Sequence, residues 1–389
     1  MIKRNIYLMY AISFLTGMVF YASISTLYRQ NAGITVFQIT IIESISFILS
    51  LLLEIPFGIL SDKIGYKKTM VISMFLFAIS KLVFWQATNF PLFLLERVFL
   101  SFSCAGLSGV EDSIIYLSAT EEKSHKVFGI YTSFGTAGVL LASAIYSTFI
   151  PNNFSLAALF TLITYTLAAI LTLFIKEVKN PDKDESSIRQ GLEKNFNVLL
   201  GTLKNKKLVL FTIGMSFYGE AMGLMLNFLN QVKYTTLGLS YRTISIIYIA
   251  FTAIGVLSFA SEPFTKVFGR KSSLLASFIT GIISMLVFAF TKNAIVAVSF
   301  ILLFKLMSTL TNPLISQVYN ESITEKDRAT AMSMLNMVAD FVTVFIQLTV
   351  GKTSDIGITL GILTGTTSCC IGLVLLICSG IFRQNKNTK

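Results

Sequence analysis

Twelve apolar stretches, each about 20 residues long, follow one another along the chain with mostly short polar interruptions. They fall near residues 5–27, 35–57, 69–88, 91–116, 127–150 and 154–175, and again near 207–230, 243–264, 272–290, 294–318, 329–350 and 356–382. A helix rises 1.5 Å per residue, so each stretch is long enough to cross about 30 Å of hydrocarbon. The pattern predicts an all-α integral membrane protein with 12 transmembrane helices. Because most connections are short, consecutive helices must be antiparallel neighbours.

One interruption is long. Between Lys176 and Lys207, the run Asn180, Pro181, Asp182, Lys183, Asp184 and Glu185 breaks the hydrophobic pattern and separates six stretches from six. The expected organisation is one six-helix bundle over 1–178, a linker over 179–206 and a second bundle over 207–389. Inside the linker, Ile188, Leu192, Phe196, Leu199 and Leu203 recur every three or four residues, with Arg189, Lys194 and Lys204 offset. That spacing predicts an amphipathic helix lying on the membrane surface. The two halves also echo one another. Tyr28, Gly33, Thr35 and Ile39 are matched by Tyr234, Gly238, Ser240 and Ile244, and Glu54, Pro56, Gly65 and Lys67 by Glu262, Pro263, Gly269 and Arg270. An offset near 205 residues is what a duplicated six-helix unit leaves behind.

Composition adds the solvent and the orientation. The chain is 54% hydrophobic and 13% charged, with a mean hydropathy of +0.73, too apolar for a water-soluble core, so lipid is the solvent. The net charge of +11 is spread over short loops with no basic patch or tail, which excludes nucleic acid as the partner. Of the 31 lysines and arginines, 23 fall on one side of the predicted spans, 5 on the other and 3 inside them. That asymmetry places both termini in the cytoplasm of a cell whose plasma or inner membrane the chain crosses many times. Lys3 and Arg4 precede a first stretch too long for a signal peptide and without a small-residue cleavage site, so it is expected to be an uncleaved helix. Four cysteines in apolar stretches and one histidine leave no disulfide framework and no zinc site, and no cofactor is expected.

The segment from Gly58 to Lys68 reads G-I-L-S-D-K-I-G-Y-K-K. Taken as an eleven-residue connection, it turns on Gly58 and Gly65, offers Asp62 to orphan N–H groups at a helix start, and is held in the cytoplasm by Lys63, Lys67 and Lys68. It resembles the signature between helices 2 and 3 of the major facilitator superfamily, with matches at Gly58, Leu60, Asp62, Lys63, Gly65, Lys67 and Lys68, and Tyr66 standing where a basic residue is usual. Two shorter stretches point the same way. Asp327, Arg328, Ala329, Thr330 and Ser333 resemble the entry to helix 11 of bacterial drug-exporter-like members, and Arg97, Ser101 and Cys104 to Gly106 are similar to a helix 4 motif, with serine in place of a glycine. Helix 5 carries Gly129, Gly135 and Gly138 but lacks the Gly-Pro pair of the antiporter signature. The resemblance implies two pseudo-symmetric bundles, helices 1, 4, 7 and 10 around a central cavity, and secondary transport by alternating access.

Ionisable groups inside spans are functional candidates. Arg97, Glu220 and Lys305 lie on helices 4, 7 and 10. Glu220 stands roughly 20 Å from the start of its helix, near mid-membrane, where a carboxylate can take a proton from one side and release it to the other. Its other reading is a permanent ion pair with Lys305 or Arg97. Arg97 stays cationic and either holds an anionic substrate group or pairs with Glu43 at similar depth. Lys305 and Asp340 read as a structural couple sooner than as a substrate contact, and Lys81 as a peripheral residue that either snorkels or points inward. Glu111 and Asp112, closing helix 4, are expected to join Asp62, Lys63 and Arg328 in a cytoplasmic gate network.

A cavity with many aromatic rings and few charges suits a hydrophobic or cationic compound better than a sugar. The expected function is proton-coupled efflux of small amphipathic, drug-like compounds; the alternative within the same fold is proton-driven uptake of a nutrient. The partners are then a small molecule, a proton and the lipid bilayer, and the chain is taken as a monomer. An enzyme needs a catalytic or metal cluster, a receptor a soluble domain and a channel a pore loop, and the sequence displays none of these.

Overall fold

Four glycines set the two places in each half where the chain reverses most tightly. Gly33 (φ 81°), Gly65 (94°), Gly238 (79°) and Gly269 (79°) all lie on the positive side of φ, which costs a residue without Cβ nothing. After Gly33, Thr35 opens the next helix with a reciprocal cap: its hydroxyl accepts from the Gln38 N–H, and the Gln38 side chain accepts from the Thr35 N–H. After Gly238, the Ser240 hydroxyl accepts from the Thr243 N–H at 3.2 Å. The landmarks that repeat in the sequence therefore repeat in conformation.

The structure is a computed structural model describing residues 2–119, 121–178, 205–323 and 328–382, at 55, 121–123, 328–330, 333 and 334 for the backbone alone. The amphipathic helix expected in the linker, and Asp327, lie outside the described residues. Those residues contain no strand and 12 helical spans long and apolar enough to cross a membrane. The chain divides into two compact units, Met1–Lys183 with Gly238–Thr252, and Asp184–Leu237 with Ala253–Lys389.

In the first unit, the eleven-residue connection expected between spans 2 and 3 is a single residue. One helix runs from Val36 to Ile64 and the next starts at Tyr66, so Gly65 alone makes the turn. Gly58 is therefore not a turn residue: it sits inside the helix, with nothing within 4 Å of where a Cβ would stand. The apolar pattern faded early because the last two turns of this helix carry Ser61, Asp62 and Lys63.

Two other spans of this unit are broken. The first runs as Lys3–Gly17, an irregular stretch, a short 3-10 turn at Ala22–Ile24 and Ser25–Asn31. Freed backbone groups inside an apolar bundle need partners, and span 6 supplies them. The Phe20 N–H donates to the Thr161 hydroxyl (3.0 Å), Thr164 donates to the Met18 carbonyl (3.2 Å) and Tyr165 to that of Thr16 (2.7 Å). Span 4 runs as Phe90–Leu107 and Val110–Ser118, parted by Ser108 and by Gly109 at φ 71°. Span 5 packs onto span 1 through glycine: a Cβ at Gly138 would lie 2.2 Å from the Phe14 carbonyl oxygen, and one at Gly17 2.2 Å from that of Gly135. Fully buried Asn5 ties the unit's ends together, donating to Ser118 Oγ and the Lys176 carbonyl and accepting from the Lys176 N–H. Residues 238–252 also belong to this unit, with Arg242 donating to the Ser147 and Thr148 carbonyls and the Tyr241 ring 5.1 Å from that of Phe154.

In the second unit, span 7 (Lys206–Thr236) contains a π turn at Met225–Leu229. It packs on span 12 (Ile358–Ser379) where a Cβ on Gly372 would come within 2.7 Å of the Gly214 carbonyl oxygen. Span 10 (Ala294–Ser322) carries Pro313.

Candidate functional site

The two broken spans of the first unit border one cavity of about 590 Å³. Ser13, Thr16 and Gly17, at the end of the first segment of span 1, face Cys104, Leu107, Ser108 and Gly109 at the break in span 4. Glu111 and Asp112 line the same space. They do not close a helix, as expected from the apolar pattern, but open the second segment of span 4, where the positive end of the helix dipole favours acidic side chains. Tyr131 shares a side-chain hydrogen bond with Glu111. Phe77, Tyr131 and Tyr165 give the cavity an aromatic wall. The arrangement offers two carboxylates, several hydroxyls and three rings, a set that can hold an organic cation by charge and by ring faces.

Behind that wall lies a cluster of charges. Glu43 Oε1 accepts from Arg29 Nη1 at 3.1 Å and from Arg97 Nη2 at 2.5 Å. Glu96 contacts three cations: Lys81 Nζ at 3.7 Å, Arg97 Nε at 3.5 Å and Arg29 Nη2 at 4.0 Å. Lys81 Nζ sits 5.0 Å from the Phe77 ring centroid, 5.3 Å from that of Tyr165 and 5.9 Å from that of Tyr21. Phe77 and Tyr165 thus have one neighbour in the cavity and another in the cluster. Counting back from the ends of spans 2, 3 and 4 puts the cluster about 10 Å inside the bundle.

The Glu43–Arg97 pair expected from depth is present. Lys81 corrects an expectation, since it is buried and paired instead of peripheral. Arg29 and Glu96 were not anticipated. Arg29 stands beyond the first apolar stretch and reads as a loop charge, yet the extra turns at Ser25–Asn31 carry it to 2% exposure. The available signal was Tyr28 and Gly33, which mark a helix continuing to the turn.

The Gly65 turn forms a separate site. Asp62, Lys63, Gly65, Lys67 and Lys68 line a space of about 680 Å³ together with Glu177. Gly65 begins the helix of span 3 without a side-chain cap of its own, and Glu177, from beyond span 6, accepts from the Lys67 N–H at 3.1 Å. This cavity does not include Glu111 or Asp112. Arg328 begins a helix, Arg328–Ile356, and its side chain is outside those described.

In the second unit, Glu220 is half-buried on span 7, just before the π turn, and Lys305 and Asp340 are half-buried on spans 10 and 11. Buried Lys233, also on span 7, donates to the Ala289 carbonyl at 3.0 Å. A further space of about 490 Å³, lined by Glu262, Lys266, Gly269, Arg270 and Gln317 among others, surrounds the second glycine turn. No group of three or more metal-ligating side chains occurs among the described residues.

The model of the Major Facilitator Superfamily matches residues 6–347. Among curated proteins, the chain is 25% identical to the L-fucose-proton symporter of Escherichia coli (strain K12) over 129 residues, 32% of this chain and 30% of that one. It is 24% identical to the quinolone resistance protein NorA of Staphylococcus aureus (strain COL) over 284 residues, 70% of each. The match to the symporter thus spans under a third of its length. Among solved structures, the nucleoside transporter NupG superposes with a TM-score of 0.77 at 19% identity, covering 98% of this chain and all of that one. A D-xylose-proton symporter does so with a TM-score of 0.76 at 15% identity, covering 97% of each.

Proposed function

Because the chain belongs to the major facilitator superfamily and is thus a multi-pass membrane transporter, not an enzyme, we propose that it exports small amphipathic organic cations in exchange for protons. The observation that carries this reading is the cavity at the two helix breaks, where Glu111 and Asp112 stand opposite aromatic rings. A proton and an organic cation compete for the same carboxylate, so release of one accompanies capture of the other. That competition is exchange. Breaks in spans are where membrane transporters commonly place such sites. The similarity to a quinolone resistance protein over 70% of both chains supports export, and the likeness to proton symporters supports the proton as coupling ion.

In this reading Glu111 exchanges protons in the first half, and Glu220, at mid-span beside the π turn, does so in the second. Lys305 and Asp340 act as a structural couple. The Glu43–Arg97 cluster is scaffold for the cavity's aromatic wall. The halves 1–178 and 207–389 alternate the site between the two membrane faces, both termini lie in the cytoplasm of a plasma or inner membrane, and Asp62, Lys63, Lys67, Lys68 and Arg328 belong to the cytoplasmic gate. The chain acts as a monomer.

Proteoliposomes holding an imposed pH gradient test it. Adding a lipophilic cation such as ethidium is expected to dissipate the gradient with the wild type and not with Glu111→Gln, which leaves the fold intact. Co-movement of protons and a neutral sugar or nucleoside in the same direction establishes uptake instead.

A further inference from the structure

The charge cluster of the first unit does not balance. Arg29, Lys81 and Arg97 meet only Glu43 and Glu96, and no other carboxylate among the described residues acts on either guanidinium. One positive charge is left over in a place where uncompensated charge is strongly unfavourable. The hydrogen bonds fall short as well. Nε of Arg29 and Nε of Arg97 are buried without an acceptor, although buried donors are nearly always satisfied. Glu96 Oε2 makes no hydrogen bond, so its contacts with the two arginines are of charge alone. The aromatic rings around Lys81 offset part of its charge, but they leave the guanidinium donors as they are.

We propose that this cluster is a binding site for a small monovalent anion, a halide or a simple carboxylate, seated against the arginines. The ion restores three charges to three and gives the idle N–H groups an acceptor. It enters beside Arg97 and Glu43, whose side chains are 19% and 12% exposed, against 3% for Arg29, 1% for Glu96 and 8% for Lys81. The site is distinct from the acidic cavity beyond Phe77 and Tyr165, and its occupancy does not depend on what the transporter carries. An anion there holds Arg29, Glu96 and Lys81 in register and so fixes the rear of the cavity's aromatic wall.

Trp85, the only tryptophan, lies one helical turn from Lys81 and reports on the site. Purified protein in a bulky sulfonate buffer is titrated at constant ionic strength with chloride in one arm and acetate in the other, following Trp85 fluorescence and the melting temperature. A saturable fluorescence change with a parallel rise in Tm is expected, and the arm that produces it identifies a halide or a carboxylate. Lys81→Met removes the surplus charge, so this variant is expected to fold and to lose the response. A wild-type titration that stays flat in both arms overturns the site, whether or not the variant folds. So does a response that survives unchanged in Lys81→Met.

Discussion

The turns at Gly65 and Gly269 share a backbone and differ in chemistry. Their φ and ψ are 94° and 157° in the first unit and 79° and 148° in the second, and each opens a helix of 21 residues. At the first turn a carboxylate from a distant part of the chain, Glu177, sits on the helix start, its oxygen 2.7 Å from where a Gly65 Cβ would be. At the second the space is open, and the first helical residue, Arg270, makes a two-pronged pair with Glu321 at 2.6 and 2.9 Å. Sterics that only glycine satisfies survived the duplication, while the charges around them were free to move. The interiors follow the same rule. Glycine brings span 5 against span 1 and span 12 against span 7, but the five-membered charge cluster belongs to the first unit.

The largest effect is expected where charge and burial coincide. Glu43→Gln keeps an acceptor oxygen but removes one of the two negative charges that face Arg29, Lys81 and Arg97, and is predicted to cost about 3–5 kcal/mol, read as a steep fall in melting temperature of the purified protein. Next comes the glycine packing: Gly138→Ala drives a Cβ into the Phe14 carbonyl and is predicted to cost about 1–3 kcal/mol, because backbone cannot step aside as a side chain does. Gly58→Ala, with open space around it, is its control and is predicted to be neutral or to stabilise by up to about 1 kcal/mol. Either turn glycine replaced by alanine is strained by about 1–3 kcal/mol, and Gly65→Ala should exceed Gly269→Ala because Glu177 must also move; equal melting temperatures would show that this carboxylate does not crowd the turn. Smallest are the charges themselves. Glu177→Ala removes a helix cap and should cost about 0.5–2 kcal/mol, whereas Arg270→Gln breaks an exposed pair and should cost under about 1 kcal/mol, less still at high salt.

Much of this was legible in the chain. The spans, the glycine turns and the internal repeat follow from hydrophobic runs and from residues whose steric reasons are local. The Glu43–Arg97 pair followed from depth, since spans 2 and 4 run parallel and residues equally far along parallel helices stand at one level. Depth counting assumes continuous helices, and that is where it failed. The break after Gly17 sends Arg29 into the bundle, and the break at Ser108 and Gly109 turns Glu111 and Asp112 from a helix end into a cavity wall. Glu96 was hidden by its neighbour: adjacent residues on a helix point about 100° apart, and only the packing of spans 2 to 4 lets both Glu96 and Arg97 face charges. Lys81 was misplaced because an apolar stretch without a clear stripe does not say which side meets lipid.

The measurement that bears most directly on the central claim uses Cys104, which is exposed and lines the cavity between the broken spans. With Cys369, Cys370 and Cys378 replaced by serine, the account predicts that an organic cation such as ethidium slows maleimide labelling of Cys104, and that Glu111→Gln removes the protection. Labelling at the same rate with and without the cation, in a protein that still transports it, would place the cargo elsewhere and contradict the account.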